Sequence, residues 1–254
     1  MWRRVAIIFA ILLLAAPIKR AQPSAIQFQI TSPLPPASGR LIVVISKSNR
    51  PEPRTMLGDA DADAPITIAK DVSGLGGGGG AVIDKTSDAF PISSLDMLAA
   101  GDYFVQAVLH TNIDLNSPNA PGDRFSSVRS VHLDARKGAL VALDLTGTVQ
   151  TEQMPSDDQY VKYVKIQSAV LTRFHGRPIF LRAGIILPKD DGHQTAFPLR
   201  IHIGGYGTRY TAVQRLMAPN SQFRRMWLAD DTPRFIFLQL DGDGPYGDPY
   251  QVNS

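Results

Sequence analysis

The sequence predicts two domains: an N-terminal all-β sandwich over residues 26–150 and an incomplete three-layer α/β domain over residues 160–254. Three observations carry this. Short segments of period-two apolar alternation fill the first region. A strand, a glycine loop, a helical stretch and a second strand follow one another in the second. Residues 151–159 between them are polar, hold Pro155, Asp157 and Asp158, and read as a linker.

Ahead of both, residues 1–25 read as a signal peptide. Met1-Trp2-Arg3-Arg4 is a basic start, residues 5–16 are an unbroken apolar run, Pro17 ends it, and small or polar residues follow through Ala25. That is the order of a secretory signal. The run falls short of the roughly 20 residues a membrane-spanning helix takes. Ala21 and Ala25 are alternative cleavage points, and an uncleaved N-terminal membrane anchor is the alternative to cleavage. The cleaved chain is expected in a periplasm or outside the cell, with no membrane contact. Arg3, Arg4, Lys19 and Arg20 leave with the segment, and these four take the formal net charge from +3 to −1. The basic pI therefore gives no ground for nucleic-acid binding. With no cysteine in the sequence, disulfides and thiolate metal sites are excluded. The remaining length suffices for two modest domains or one large one.

The elements of the first domain follow in order. Ile26, Phe28 and Ile30 alternate with Gln27, Gln29 and Thr31, the pattern of a half-buried strand. Residues 41–45 are a short apolar, largely β-branched run. Tyr103, Val105, Ala107 and Leu109 form the clearest alternating set, entered through the turn Ala100-Gly101-Asp102. Residues 128–133 and 140–145 read as two strands joined by a turn over 134–138. Short strands punctuated by Gly, Pro and Asp suggest a sandwich. Residues 56–64, 74–80 and 112–123 read as loops, the second almost pure glycine and flexible.

In the second domain, residues 161–166 and 177–187 read as strands, with a polar turn over 188–194. Residues 197–203 are a strand ending in glycine. Residues 210–228 are the best helical candidate, with Val213, Leu216, Met217, Met226 and Trp227 set among arginines, and Pro219-Asn220-Ser221 breaks it into two helices. Residues 235–240 form a buried strand. The order strand, glycine loop, helix, strand is a βαβ unit and implies a parallel pair.

Three stretches carry a family resemblance. They are Arg177-Pro178-Ile179-Phe180-Leu181-Arg182-Ala183-Gly184-Ile185-Ile186-Leu187-Pro188, then Phe197-Pro198-Leu199-Arg200-Ile201-His202-Ile203-Gly204-Gly205-Tyr206-Gly207, then Phe235 to Asp248. In this order they resemble the early antiparallel strands, the glycine loop and the next parallel strand of the esterase branch of the α/β-hydrolases. That group contains enterochelin-esterase-like and esterase-D-like proteins. Gly101-Asp102-Tyr103-Phe104-Val105-Gln106-Ala107 resembles the β-domain that precedes the hydrolase in some exported members. The second domain is thus expected to be the first part of an α/β-hydrolase. The resemblance implies an exported serine esterase acting on a small-molecule ester, with no cofactor and no metal. It makes Gly205, Tyr206 and Gly207 the oxyanion-loop candidates, with Tyr206 the donor. Gly204 stands where many relatives place proline. No G-x-S-x-G pentapeptide occurs, so no catalytic serine, acid or histidine is identifiable. The expectation is a C-terminally truncated hydrolase, inactive alone. The strand over 235–240 is expected inside the sheet with one side left open. The alternative function is a non-catalytic exported β-sandwich binding or remnant protein.

Other motifs read blandly. Gly74 to Gly79 matches G-x-G-x-x-G trivially, without a strand before it or a helix after it. A P-loop is refused by Asp84 where glycine is needed. Asp241, Asp243 and Asp248 lack EF-hand spacing and read as a solvated turn. Among His110, His132, His175, His193 and His202 no pair has zinc-helix spacing. His202 reads as a packed strand residue and His193 as a solvated turn residue. Ser168 and Ser221 have no elbow and no nearby base.

Overall fold

The computed structural model describes residues 25–59, 61, 63–117, 119–189, 196–205, 207–242 and 244. The signal-peptide reading concerns residues outside this set except for Ala25, and His193, Tyr206, Asp243 and Asp248 also lie outside it.

The first region is built from nine strands: β1 (Ile26–Thr31), β2 (Ala37–Ser46), β3 (Ile66–Leu75), β4 (Gly80–Ile83), β5 (Asp88–Phe90), β6 (Gly101–His110), β7 (Arg124–Ser126), β8 (Arg129–Leu133) and β9 (Ala139–Thr148). Alternation dictates which side chains go inside. Phe28 and Ile30 of β1 stand in register with Val141 and Leu143 of β9. Leu41, Val43 and Ile45 of β2 stand opposite Leu109, Ala107 and Val105 of β6. All ten are buried and belong to one core cluster. Each fully buried aliphatic or Phe side chain contributes roughly 1.5–3 kcal/mol.

Two separate sheets were expected here, but the strands follow one hydrogen-bonded path, β4-β1-β9-β7-β6-β2-β3-β5, with β8 also on β6. The three-residue β7 is the link. It pairs with β6 on one side and, through a register shift at Phe125/Ser126, with β9 on the other. A sheet joined in this way curls round a single core instead of splitting into two layers.

The glycine run is not a free loop. Residues 75–80 turn β3 into β4, and the Gly77 and Gly78 amides donate to the Leu34 and Ser32 carbonyls at 2.8 and 3.2 Å. Gly76 has φ +142°, and a Cβ there would lie 2.5 Å from the Leu34 carbonyl oxygen. Close approach requires glycine at 76, and positive φ favours it at 77 and 78.

The second region contains β10 (Val161–Gln167), α1 (Ala169–His175), β11 (Phe180–Ile186), β12 (Leu199–His202), α2 (Ala212–Leu216), α3 (Gln222–Trp227) and β13 (Ile236–Leu240). The sheet order is β10-β11-β13-β12. The first three strands are antiparallel neighbours, and β12 and β13 are parallel. The crossover through α2 and α3 sets β13 between β11 and β12. The strand over 235–240 therefore has neighbours on both sides, and the sheet's edges are β10 and β12. That corrects the expectation, which assumed that strands are added in chain order.

One face of this sheet is covered. Val161, Ile186 and Phe237 pack against Val213, Met217 and Trp227 of the helical layer. Gly184 is required by this packing: a Cβ there would lie 2.3 Å from the Tyr210 carbonyl oxygen. On the other face Ile185 pairs with Leu238, which also pairs with Ile201, while Leu199 pairs with Ile236 and Ile166 with Leu181. Leu199 and Ile201 are each 57% exposed and Ile166 59%. Among the described residues no helix lies over that face.

Candidate functional site: the glycine loop and its arginine clamp

The loop after β12 starts from a strand that gives its residues no cover on one side and ends in a packed helix. Gly204 is forced by Thr208, whose Cβ and Cγ2 lie 2.5 Å from where a Gly204 Cβ would stand. The Thr208 amide donates to the Gly205 carbonyl at 3.0 Å, closing a turn, and the Gly242 amide donates to the Thr208 carbonyl at 2.9 Å. Gly207 has φ +69°. Among the described residues, chain neighbours aside, no atom lies within 4 Å of a hypothetical Cβ at Gly205 or Gly207.

Directly after the turn, Arg209 reaches across to the end of β13. Its Nε donates to Asp241 Oδ1 at 2.7 Å, and its Nη2 donates to Asp241 Oδ2 at 3.3 Å and Glu152 Oε2 at 2.8 Å. Arg182 of β11 approaches the same Asp241 carboxylate at 3.8 Å. The Asp241 side chain is 6% exposed. Burial alone would lower the Arg209 guanidinium, but Asp241 and then Glu152 more than offset this and hold it above its usual range. The forked geometry fixes direction as well as charge. Strand β11, the loop, the end of β13 and the segment before β10 thus meet at one ion cluster.

Tyr210 follows Arg209, is 1% exposed and meets Tyr163 edge-on at 6.0 Å between ring centres. Burial pushes both phenols up, most of all by desolvation. Neither is a ready base at neutral pH.

The structure brings the glycine loop to the carboxyl end of a parallel strand, the place where α/β sheets take ligands. Gly205 and Gly207 are in that loop, and Tyr206 is outside the described residues. His202 stacks on Phe237 at 5.1 Å, the packed strand role read from the sequence. Ser168 and Ser221 are helix caps, accepting from the Leu171 and Arg224 amides at 3.2 and 2.9 Å. His110 is held by Asp123 at 2.8 Å, and Asp123 also accepts from the Thr111, Asn112 and Ala120 amides. That buried carboxylate organises the loop over 112–123 and is not free for chemistry. Asp241, read as a solvated turn residue, is instead buried under two arginines. Among the described residues no group of three or more His, Asp or Glu is arranged to hold a metal ion.

Sequence reasoning missed the clamp. The spacing of Arg209 two residues beyond the glycine loop, and of Asp241 one beyond the last apolar residue of β13, was the available signal.

No family model, curated protein or solved structure matches the chain. What the fold defines is a mostly-β protein with a small mixed sheet carrying a clamped glycine loop.

Proposed function

We propose that this chain is the oxyanion-loop portion of an exported serine esterase of the α/β-hydrolase type, with the catalytic serine supplied from outside the described residues. The observation that carries the reading is the glycine loop, set at the carboxyl end of β12 and tied to β13 through Arg209 and Asp241. An antiparallel pair followed by a parallel pair with an intervening crossover is also what the resemblance requires of the opening strands. In an acyl transfer the backbone amides of such a loop stabilise the developing oxyanion, and a serine activated by histidine attacks the ester carbon. No metal or cofactor enters this reading.

The test is hydrolysis of p-nitrophenyl acetate by the purified chain, together with labelling by a fluorophosphonate. The expected result is no turnover and no labelled serine. Turnover with one labelled serine would place the nucleophile inside this chain, and labelling within the described residues would overturn the division of labour. Reading the coding DNA beyond codon 254 in all three frames provides the second arm. A G-x-S-x-G pentapeptide after a further apolar strand supports the esterase, and unrelated sequence removes it.

A second reading is a non-catalytic exported binding protein. It is favoured by the distribution of the core, which is far larger in the nine-stranded sheet than in the four-stranded one.

A further inference from the structure

The loop between β6 and β7 is built round one carboxylate. Asp123 is fully buried. It accepts from the Thr111, Asn112 and Ala120 amides at 2.8, 3.3 and 3.0 Å and pairs with His110 at 2.8 Å. A charged acceptor holds its donors more firmly than a neutral one, and those donors would be stranded without it. Asn112 adds a second fix, accepting from the Asp114 and Leu115 amides and donating to the Pro121 carbonyl. The chain leaving β9 is tied to the same loop: the Val149 amide donates to the Asp123 carbonyl at 2.7 Å, and the Gly122 amide to the Val149 carbonyl at 2.9 Å. From this assembly two prongs reach the second region. Asp114 pairs with Arg177, which also donates to the Ile113 carbonyl at 3.4 Å, and the Asn116 amide donates to the Gly244 carbonyl at 2.9 Å. Gly244 follows Gly242, whose amide holds Thr208 behind the glycine loop. Shortly past Val149, Glu152 accepts from the Arg209 guanidinium at 2.8 Å.

We propose that the β-rich region is the fixed frame of the glycine-loop site, with Asp114, Asn116 and Asp123 as positioning residues. They act through Gly244 and, by way of Val149 and Glu152, through Arg209. Each contact is weak alone. The Asp114 and Arg177 side chains are 57% and 31% exposed, and pairs of that kind contribute little on their own. Leverage comes from order already present. A loop fixed by Asp123 loses little further conformational freedom when its tip docks, and contacts carried on one ordered loop form or break together. A free linker over 151–159 would make the two regions independent modules. Instead Glu152 sits in the ion cluster, and the tip of the β6–β7 loop holds the segment after β13. The β-rich region thus supports the site and is not a detached binding module. What the frame serves rests on the esterase reading of the glycine loop; the coupling itself is read without turnover.

Hydrogen–deuterium exchange of the full chain, read by mass spectrometry, tests this. Asp114→Arg sets like charges against each other at the docked tip. The expected result is exchange about threefold or more faster in peptides covering 204–210 and 241–247, with β1 and β9 unchanged. Combining Asp114→Arg with Arg177→Asp restores the opposite charges and should return both peptides to the parent's rate. Asp123→Asn, whose amide cannot accept from every donor the carboxylate holds, should speed the same two peptides. Unchanged exchange there in either single variant overturns the proposal. So does a rise in Asp114→Arg that the charge swap does not reverse, which would mark general damage and not a lost contact. Failure of the esterase reading would appear instead in the coding DNA beyond codon 254 and would leave these rates as they are.

Discussion

Gly204 and Gly205 are neighbours with opposite tolerances. Gly204→Ala drives a methyl group into Thr208 and should cost about 1–3 kcal/mol, as overpacking does. Gly205→Ala meets no atom within 4 Å and should stay within about 0.5 kcal/mol. Urea denaturation of the two variants checks the contrast. Arg209→Met leaves Asp241 with only Arg182 at 3.8 Å and should cost about 2–3 kcal/mol, somewhat under the figure for fully buried pairs because Arg209 keeps some solvent contact. A carboxylate outside the site sets a pH dependence. Asp84 accepts from the Thr86 hydroxyl and amide at 2.7 and 2.9 Å, and these bonds hold its carboxyl below the usual 3.8. A depressed folded-state pKa means the contribution is present above that value and fades as pH falls through the folded one. The melting-temperature gap between the parent and Asp84→Asn should therefore shrink below about pH 4. These residues show what was legible. The glycine loop was visible as a motif, but Gly204 stood out only as a departure from the family's proline, and the reason for glycine there, Thr208, sits four residues on and is brought back only by the turn. The position of Arg209 just past the loop did not name its partner, because charge pairing across 32 residues depends on the sheet order.

At the scale of the element, α3 depends on its cap. Ser221 accepts from the Arg224 amide and donates to the Leu216 carbonyl. Ser221→Ala should lower stability by about 1 kcal/mol, and α3 also positions Trp227, whose indole N–H donates to the Leu187 carbonyl at 2.9 Å. The glycine turn between β3 and β4 gives a graded series. Gly76→Ala meets backbone oxygen and should cost more than the roughly 1 kcal/mol expected at Gly78, where φ is +86° but the space is open. Thermal melts rank the two. Strands β1, β2, β6 and β8 to β13 were read from the sequence, each carried by apolar alternation or by a short apolar run. Strand β3 was missed because Lys70, Asp71, Ser73 and Gly74 dilute its pattern on an exposed stretch. Strand β7 was missed because three residues hold no period. Helix α1 was missed because it buries nothing, with Val170 and Phe174 about three-quarters exposed.

At the scale of the whole molecule the two sheets differ in how much apolar surface they enclose. Local opening free energies follow buried contact, so backbone amides of β1, β6 and β9 should exchange with deuterium more slowly than those of β10 to β13. Mass-resolved exchange reads this directly, and equal protection in the two regions would contradict it. The general architecture, β-rich first and a parallel pair later, was legible because most of the longer strands announce themselves locally. Whether the β-rich part is one sheet or two was not legible, since that is decided by a single three-residue bridge.

The pairing of β1 with β9 has a mechanical meaning. The first and last strands of the β-rich region lie parallel, with six residue pairs in register from Ile26↔Ala139 to Thr31↔Asp144. A pull applied between the start of β1 and the end of β9 would load that ladder lengthwise, so its hydrogen bonds would have to shear together and could not unzip one at a time. Tension along the chain would meet this strand pair before it reached the curled core, making the region a force-bearing clamp ahead of the smaller sheet.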